Sequence, residues 1–297
     1  MMQLERVTIQ AGLSRPIKLL HISDTHLLLA DERERTPLRE LAELRTRYHL
    51  DAYSEPVASV EAERARVLAT LRELLAYGRS HCDRIVHSGD FYDFLTAANL
   101  EAMQEAVQAG ELFYSPGSHE FTQSLYKPEA LDAAAQAHRR ALVQAAAGNA
   151  LDFAVEWVGE CRLISLDNSD HRFNTAQFDA LREELAQRNA PTVLLMHTPL
   201  YTPELYRELT VKRGKAVADL AGVPPQDEAG QALAAPEGCY PDKTTLQMCT
   251  WLRNEAQIRA VLAGHLHFFW TGPLGSGQVQ IVAGLGYDGE GVEIILE

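Results

Sequence analysis

The stretch Ile17-Lys18-Leu19-Leu20-His21-Ile22-Ser23-Asp24-Thr25-His26 begins as a short apolar run and ends in two polar residues, two positions apart. The run has the length and composition of a buried strand. Because residues i and i+2 of an extended chain point to the same side, Asp24 and His26 are expected to leave the strand end as neighbouring oxygen and nitrogen donors. Such a pair is half of a metal site, so further donors must come from elsewhere in the chain.

Four further polar clusters follow, each at the end of a predicted strand. They are His87-Ser88-Gly89-Asp90-Phe91-Tyr92-Asp93, Pro116-Gly117-Ser118-His119-Glu120, Met196-His197-Thr198-Pro199 and Gly264-His265-Leu266-His267. In open α/β sheets, ligands bind beyond the carboxyl ends of the strands, so all the clusters are expected at that edge. Aspartate and histidine donors without cysteine favour manganese, iron, zinc or cobalt. If only four of these histidines and two of these aspartates are ligands, they are still too many for one tetrahedral ion. They suit two ions that share a carboxylate.

Runs rich in valine, isoleucine and leucine alternate with amphipathic stretches along most of the chain. The predicted strands are 18–22, 84–87, 112–114, 153–158, 162–166, 192–196, 259–262, 279–282 and 292–296. The predicted helices are 60–77 with a stop at Gly78, 99–109, 128–147, 174–188 and 244–254. This order predicts an α/β sandwich with mixed sheets, in a single domain over residues 1–297.

Two stretches interrupt the alternation, near residues 28–56 and 201–242. Both are interpreted as insertions, which are either lids and binding loops or solvated surface loops. The charge-rich run 33–47 is typical of a solvated face. His49, His81, His138 and His171 are expected at the surface or on helix flanks, whereas His21 and His87 are expected to pack in the core.

Composition limits the possible partners and location. The chain has 27 lysines and arginines against 41 acidic residues, a formal charge of −14, which argues against nucleic acid as the main partner. No signal peptide and no apolar run long enough to span a membrane is recognised. The cysteines Cys82, Cys161, Cys239 and Cys249 form no C-x-x-C pair and are expected to be reduced thiols. A cytoplasmic protein without membrane contact is predicted, and its oligomeric state stays open.

The order D-x-H, G-D-x-x-D, G-x-H-E, H-x-P and G-H-x-H resembles the calcineurin-like metallophosphoesterases over nearly the whole chain. Residues 174–185, followed by 191–199, are similar to the purple acid phosphatase and cyclic-nucleotide phosphodiesterase branch. The resemblance implies a four-layer α/β/β/α sandwich with a dinuclear metal centre. One ion would be bound by Asp24, His26 and His267, the other by His197 and His265, and Asp90 would bridge them.

Ser118 departs from the family pattern, which has an asparagine ligand of the second ion at this position. A serine hydroxyl is shorter and is a weaker neutral ligand. We expect that a water fills the gap and that the second ion is held more weakly. The alternative is that the second site is partly degenerate.

The resemblance also implies the reaction. Two divalent ions bring roughly +4 charge, which can bind a phosphoryl group and lower the pKa of a bridging water, so that a hydroxide attacks phosphorus. His119 would act as general acid toward the leaving group, and Asp93 would orient it. The expected substrate is a small phosphorylated molecule, a phosphomonoester or a phosphodiester.

Other functions of the same superfamily stay open at this point. They are a catalytically impaired metal-binding scaffold, a protein phosphatase or a nuclease. The protein phosphatase branch has an arginine after the second aspartate of its G-D-x-x-D pattern, where this chain has Phe94. The retained His119 argues against a scaffold.

Overall fold

A computed structural model describes residues 2–53, 59–109, 112–121 and 132–297 of the chain. The first sheet contains β1 (Gln3–Ile9), β2 (Ile17–Ile22), β3 (Arg84–His87), β4 (Leu112–Tyr114) and β11 (Glu290–Leu296). The second contains β5 (Phe153–Val158), β6 (Cys161–Leu166), β7 (Thr192–Leu195), β8 (Ile258–Ala263), β9 (Trp270–Gly275) and β10 (Gln278–Val282). The longer helices are α1 (Thr36–Tyr53), α2 (Val60–His81), α3 (Ala97–Gln108), α4 (Ala133–Ala146), α5 (Thr175–Gln187) and α7 (Lys243–Leu252). A short α6 (Pro203–Arg207) continues into a π-helical turn at Glu208–Lys212.

Both sheets are mixed. In the first, the strand order is β1-β11-β2-β3-β4, and β2, β3 and β4 run parallel to one another. In the second, the order is β5-β6-β7-β8-β10-β9, and β6, β7, β8 and β10 run parallel. The carboxyl ends of β2, β3 and β4 therefore share one edge of their sheet, and those of β7 and β8 share one edge of theirs.

Side-chain alternation along the strands builds the layers. Leu19 of β2 points between the two sheets, where it packs with Leu195, whereas Leu20 faces the helices that cover the first sheet. In the second sheet, Val193 points inward and Leu194 packs against α5 and α7. The result is the α/β/β/α sandwich that the resemblance implied, with an apolar core between each pair of adjacent layers.

The predicted strands are confirmed to within two residues at each end, and all five predicted helices have counterparts. The helix predicted for 128–147 is described from Ala133, and residues 128–131 lie outside the described part. Strands β1 and β9 and helix α1 were not predicted. The predicted stop at Gly78 is wrong, because α2 continues to His81.

Gly78 has a packing role instead. A Cβ at this position would lie 2.5 Å from side-chain atoms of Ile85, so glycine lets α2 approach β3 closely. The two predicted insertions contain α1 and α6 respectively, and their interpretation as lids stays a prediction. Among the described helices, none combines the length and the apolar character that a bilayer span requires.

Candidate metal centre

The polar clusters meet where the two sheets present their carboxyl ends. Asp24 and His26 follow β2, Asp90 follows β3, His197 follows β7, and His265 follows β8. Backbone hydrogen bonds join the loops beyond the strands. The amide of Asp24 donates to Gly89 O at 3.0 Å, that of His26 to Asp90 O at 3.0 Å, and that of Gly264 to His197 O at 2.9 Å. The loop ends are therefore held together by the backbone itself.

Left-handed backbone conformations are concentrated at this edge. The φ angles are 53° at Asp24, 41° at His26, 51° at Asp90, 71° at His265 and 60° at His267. Each such residue costs about 1–2 kcal/mol relative to right-handed backbone. Strain of this kind persists where surrounding structure enforces it, and it clusters at functional sites. All five residues are predicted metal ligands.

The first donor group consists of Asp24, His26 and His267. The two imidazole Nε2 atoms lie 3.1 Å apart, and Asp24 Oδ1 lies 3.5 Å from His267 Nε2 and 3.9 Å from His26 Nε2. Asp24 is completely buried, and its Oδ1 has no hydrogen-bond partner among the described residues. Burying a carboxylate oxygen without a hydrogen-bond donor costs free energy, and a bound cation would offset that cost.

The second donor group consists of Asp90, His197 and His265. His197 Nε2 lies 3.2 Å from Asp90 Oδ2 and 3.2 Å from His265 Nδ1. The two groups are in contact, because the backbone amide of His265 donates a hydrogen bond to Asp24 Oδ2 at 2.9 Å. The structure thus brings together six predicted ligands that are far apart in sequence.

The spacing fits metal coordination. Two ligand atoms that are each about 2.1 Å from one ion lie roughly 3.0–3.4 Å apart, depending on the coordination angle. The nitrogen pairs in both groups have this separation. The oxygen and imidazole donors suit borderline divalent ions such as manganese, iron, cobalt or zinc. The residues present therefore fit divalent cations.

His119 and Asp93 form a third polar group beside the first two. His119 Nδ1 lies 3.2 Å from Asp93 Oδ1, and His119 Nε2 lies 3.9 Å from Asp90 Oδ2. The His119 amide donates to Asp90 Oδ1 at 2.9 Å. Its ring is held by Asp93 on one side and faces the donor groups on the other, as the sequence predicts for a residue that acts on a bound molecule.

Charge and burial act in opposite directions at these carboxylates. Burial alone would raise the pKa of Asp90, but His197 and His119 hold it well below its usual value. Burial likewise opposes ionisation of Asp93, yet hydrogen bonding with His119, His26 and His49 lowers its pKa well below the ordinary range. Both carboxylates are therefore ionised at neutral pH and attract positive charge.

The same contacts act on His119. Burial would lower its pKa, but Asp90 and Asp93 raise it to about 9. A proton on His119 is therefore favoured at neutral pH.

Ser118 lies between Gly117 and His119, and it borders a cleft of about 1090 Å³. Asp167 and Arg140 line the same cleft and pair with each other at 2.8 Å. The cleft opens beside the His119 loop, so a bound molecule could extend into it. Whether the Ser118 hydroxyl is a ligand stays a prediction.

Two residues brace the loops that carry the donors. The Glu120 carboxylate accepts hydrogen bonds from the amides of Phe91 at 2.7 Å and Gly117 at 2.8 Å, and from that of Asp90 at 3.2 Å. Asn168 Oδ1 accepts from the amides of His197 at 3.0 Å and Thr198 at 2.9 Å. Neither is a predicted site residue, although each stands at a strand end or within a polar cluster.

Arg45 and His49 were missed by sequence reasoning. Both belong to α1, and both contact Asp93, at 2.5 Å from Arg45 Nε and 2.9 Å from His49 Nε2. The interpretation of 33–47 as a solvated face is wrong at Arg45, which is 2% exposed. The expectation of a surface His49 is also wrong, whereas His21 and His87 are buried as predicted.

The chain is similar to known proteins in sequence and in fold. A model of the calcineurin-like phosphoesterase family matches residues 17–269. Among solved structures, the chain is similar to a dimetal phosphatase from Danio rerio, with 15% identity, coverage of 91% of this chain and 88% of that chain, and a TM-score of 0.49. It is also similar to phosphopantetheinyl hydrolase from Mycobacterium tuberculosis, with 15% identity, coverage of 91% and 90%, and a TM-score of 0.43. No curated protein shows significant similarity to the sequence.

Proposed function

Since the chain belongs to the calcineurin-like phosphoesterase family, we propose that it hydrolyses a phosphomonoester or phosphodiester of a small molecule at a dinuclear metal centre. The observation that carries the proposal is the contact between two Asp/His donor groups with a His119–Asp93 pair beside them. One group alone would suit a structural ion. Two adjoining groups next to an imidazole whose Nδ1 lies 3.2 Å from the Asp93 carboxylate suit hydrolysis.

We assign the ligands by group. Asp24, His26 and His267 would hold one divalent ion, and His197 and His265 the other. Asp90 would be shared, as the resemblance to the family implies. Its Oδ2 lies 3.2 Å from His197 Nε2, and its loop is bonded to that of His26 through the His26 amide. When bound, the two cations supply Lewis acidity and a water of lowered pKa for attack on phosphorus.

The protein side chains would bind the substrate and protonate its leaving oxygen. The side chain of His119 is 24% exposed, so its Nε2 edge can reach a substrate that lies over the donor groups. A protonated imidazole there can donate to the leaving oxygen as the ester bond breaks. Asp93 would hold the ring through Nδ1, so that Nε2 remains on the substrate side.

The electrostatics favour small substrates over nucleic acid. The chain carries a formal charge of −14, which disfavours association with a polyphosphate backbone. A single phosphoryl group needs only the local field of the bound cations.

The test is hydrolysis of mono- and bis-p-nitrophenyl phosphate by protein first stripped with a chelator and then given Mn²⁺, Zn²⁺, Co²⁺ or Fe²⁺. We expect turnover that depends on added metal. His119→Ala should retain metal and lose on the order of 10²–10⁴ in turnover, the usual range for removal of a general acid. Exposed His81 and His138 lie outside the site, so His138→Ala serves as the matched control.

Two outcomes would contradict the proposal. Bound metal without turnover of either ester would favour a scaffold instead of an enzyme. An unchanged rate in His119→Ala would remove that residue from the reaction.

A further inference from the structure

Helix α1 presents an unusual face to the interior. Its buried residues are Ala42, Arg45, Thr46 and His49, at the helical spacing of i, i+3, i+4 and i+7. An ordinary packing face of a helix is apolar, whereas three of these four residues are polar. Arg45 and His49 are both at least 97% buried, so their polar groups need partners inside the protein.

Both side chains end on Asp93. The Arg45 guanidinium makes two contacts with the carboxylate, from Nε to Oδ2 and from a terminal nitrogen to Oδ1, each at 2.5 Å. The same terminal nitrogen lies 3.0 Å from His119 Nδ1. His49 Nε2 lies 2.9 Å from Asp93 Oδ1. A segment outside the recognisable motifs thus reaches the residue that orients the proposed acid.

We propose that Arg45 is a positioning residue for the reaction, which fixes the Asp93 carboxylate and, through it, both the general acid His119 and the ligand His26. The inference rests on the proposed function, and it adds α1 to the site. Arg45 does not contact substrate in this assignment, because it is only 2% exposed.

The geometry of Asp93 supports this role. Its Oδ1 lies 3.2 Å from both His26 Nδ1 and His119 Nδ1, and its backbone carbonyl oxygen lies 3.1 Å from the same His119 nitrogen, so Asp93 adjoins both imidazoles. A two-pronged arginine contact fixes the plane of a carboxylate far better than a single hydrogen bond. A buried carboxylate also needs a permanent counter-charge, and a guanidinium is always charged.

The effect should therefore extend to metal binding. Partners that orient a ligating histidine through its second nitrogen typically change metal affinity or activity by 10–100-fold when removed. If the Asp93 carboxylate is no longer held in one plane, the imidazole rings of His26 and His119 are no longer held in one orientation. A salt bridge that only attached α1 to the sandwich would affect stability and neither of these properties.

The experiment compares Arg45→Met and Arg45→Lys with Arg47→Met. Arg47 lies on the same helix, is exposed and pairs with Glu43, so it controls for charge and helix context. Metal affinity is measured by competition with a chelator, and kcat and KM are measured with p-nitrophenyl phosphate and with phenyl phosphate. Phenolate is the poorer leaving group and depends more on protonation.

We expect Arg45→Met to weaken metal binding about 10–100-fold and to lower kcat by a similar factor. The kcat loss should be larger for phenyl phosphate, KM should change little, and Arg45→Lys should recover part of both losses. Arg47→Met should behave as wild type. If Arg45→Met does not fold, the test rests on Arg45→Lys. Its metal affinity, and the ratio of its kcat losses for the two esters, are then compared with those of the wild type.

The inference is overturned if the Arg45 variants keep wild-type metal affinity, or if they lose rate equally for both leaving groups. The metal measurement needs no turnover. If the wild-type protein hydrolyses neither ester, the proposed function fails, while a selective loss of metal affinity in Arg45→Met still supports the positioning of His26.

Discussion

His26 and His267 place their Nε2 atoms 3.1 Å apart although 241 positions separate them along the chain. His26 follows a strand of the first sheet, and His267 follows a strand of the second. The pair therefore exists only when both sheets are formed and packed on each other. A cation between the two nitrogens would link the two halves of the sandwich.

Metal removal should lower stability. A ligand that binds only the folded state stabilises it by about 2.7 kcal/mol when its concentration is 100 times Kd. We therefore expect Mn²⁺ or Zn²⁺ to raise Tm in thermal melts of chelator-treated protein, with a shift that increases with metal concentration. Asp24→Asn, which removes the charge of the carboxylate whose Oδ1 has no hydrogen-bond donor among the described residues, should reduce the shift. An identical Tm with and without metal would contradict binding at this edge.

Asp90→Asn should lose both ions. The Asp90 side chain contacts His197 and the amide of His119, and it is the group assigned to both cations. An amide is neutral, so the repulsion between two divalent ions would be unrelieved. Metal content after dialysis, measured by mass spectrometry, should fall toward zero, whereas Asp170→Asn on the rim of the cleft should keep the wild-type content. Retention of two ions by Asp90→Asn would refute the shared carboxylate.

The sequence could predict which aspartate and histidine side chains lie close together, because their placement depends on local geometry. Asp24 and His26 are two positions apart at a strand end, and parallel strands bring their carboxyl ends to one edge. These constraints operate over a few residues and need no knowledge of tertiary contacts. The same reasoning located Asp90, His197, His265 and His267.

Arg45 and His49 could not be located in this way. Their positions i and i+4 show only that they share a face of α1, and the surrounding charge run is typical of solvent exposure. Which face packs inward depends on tertiary contacts with Asp93. Strand β1 was missed for a similar reason, since its partner β11 pairs Gln3 with Glu290 at the far end of the chain.

Ser118→Asn should strengthen the second site. Asparagine supplies a longer side chain with a carbonyl oxygen, which is the donor expected at this position from the family pattern. We predict that the wild-type protein loses one ion more readily than the other on dialysis, and that Ser118→Asn slows this loss. Ser169→Asn, a serine that lines the same cleft, is the control. Equal retention of two ions by the wild-type protein would contradict a weak second site.

Stability should fall on acidification because of His21 and His87. Both rings are completely buried, and burial lowers each pKa to about 3, against 6.5 for an exposed imidazole. Below pH 6.5 the unfolded chain takes up protons at these positions that the folded protein does not, so stability is fully present above pH 6.5 and declines toward pH 3. Each histidine contributes a slope of about 1.4 kcal/mol per pH unit in that window. Urea unfolding between pH 5 and pH 8, in the presence of chelator, measures this dependence of the free energy of unfolding on pH.

His21→Gln isolates one of the two contributions. His21 Nε2 lies 2.8 Å from Ser88 Oγ, a contact that the glutamine amide can replace without a titrating group. The variant should therefore lose free energy of unfolding on acidification less steeply than the wild type, by about 1.4 kcal/mol per pH unit below pH 6.5. His81→Gln on the exposed end of α2 should keep the wild-type slope. If His21→Gln and the wild type have parallel pH profiles, His21 binds its proton equally in both states, and its burial does not govern acid stability.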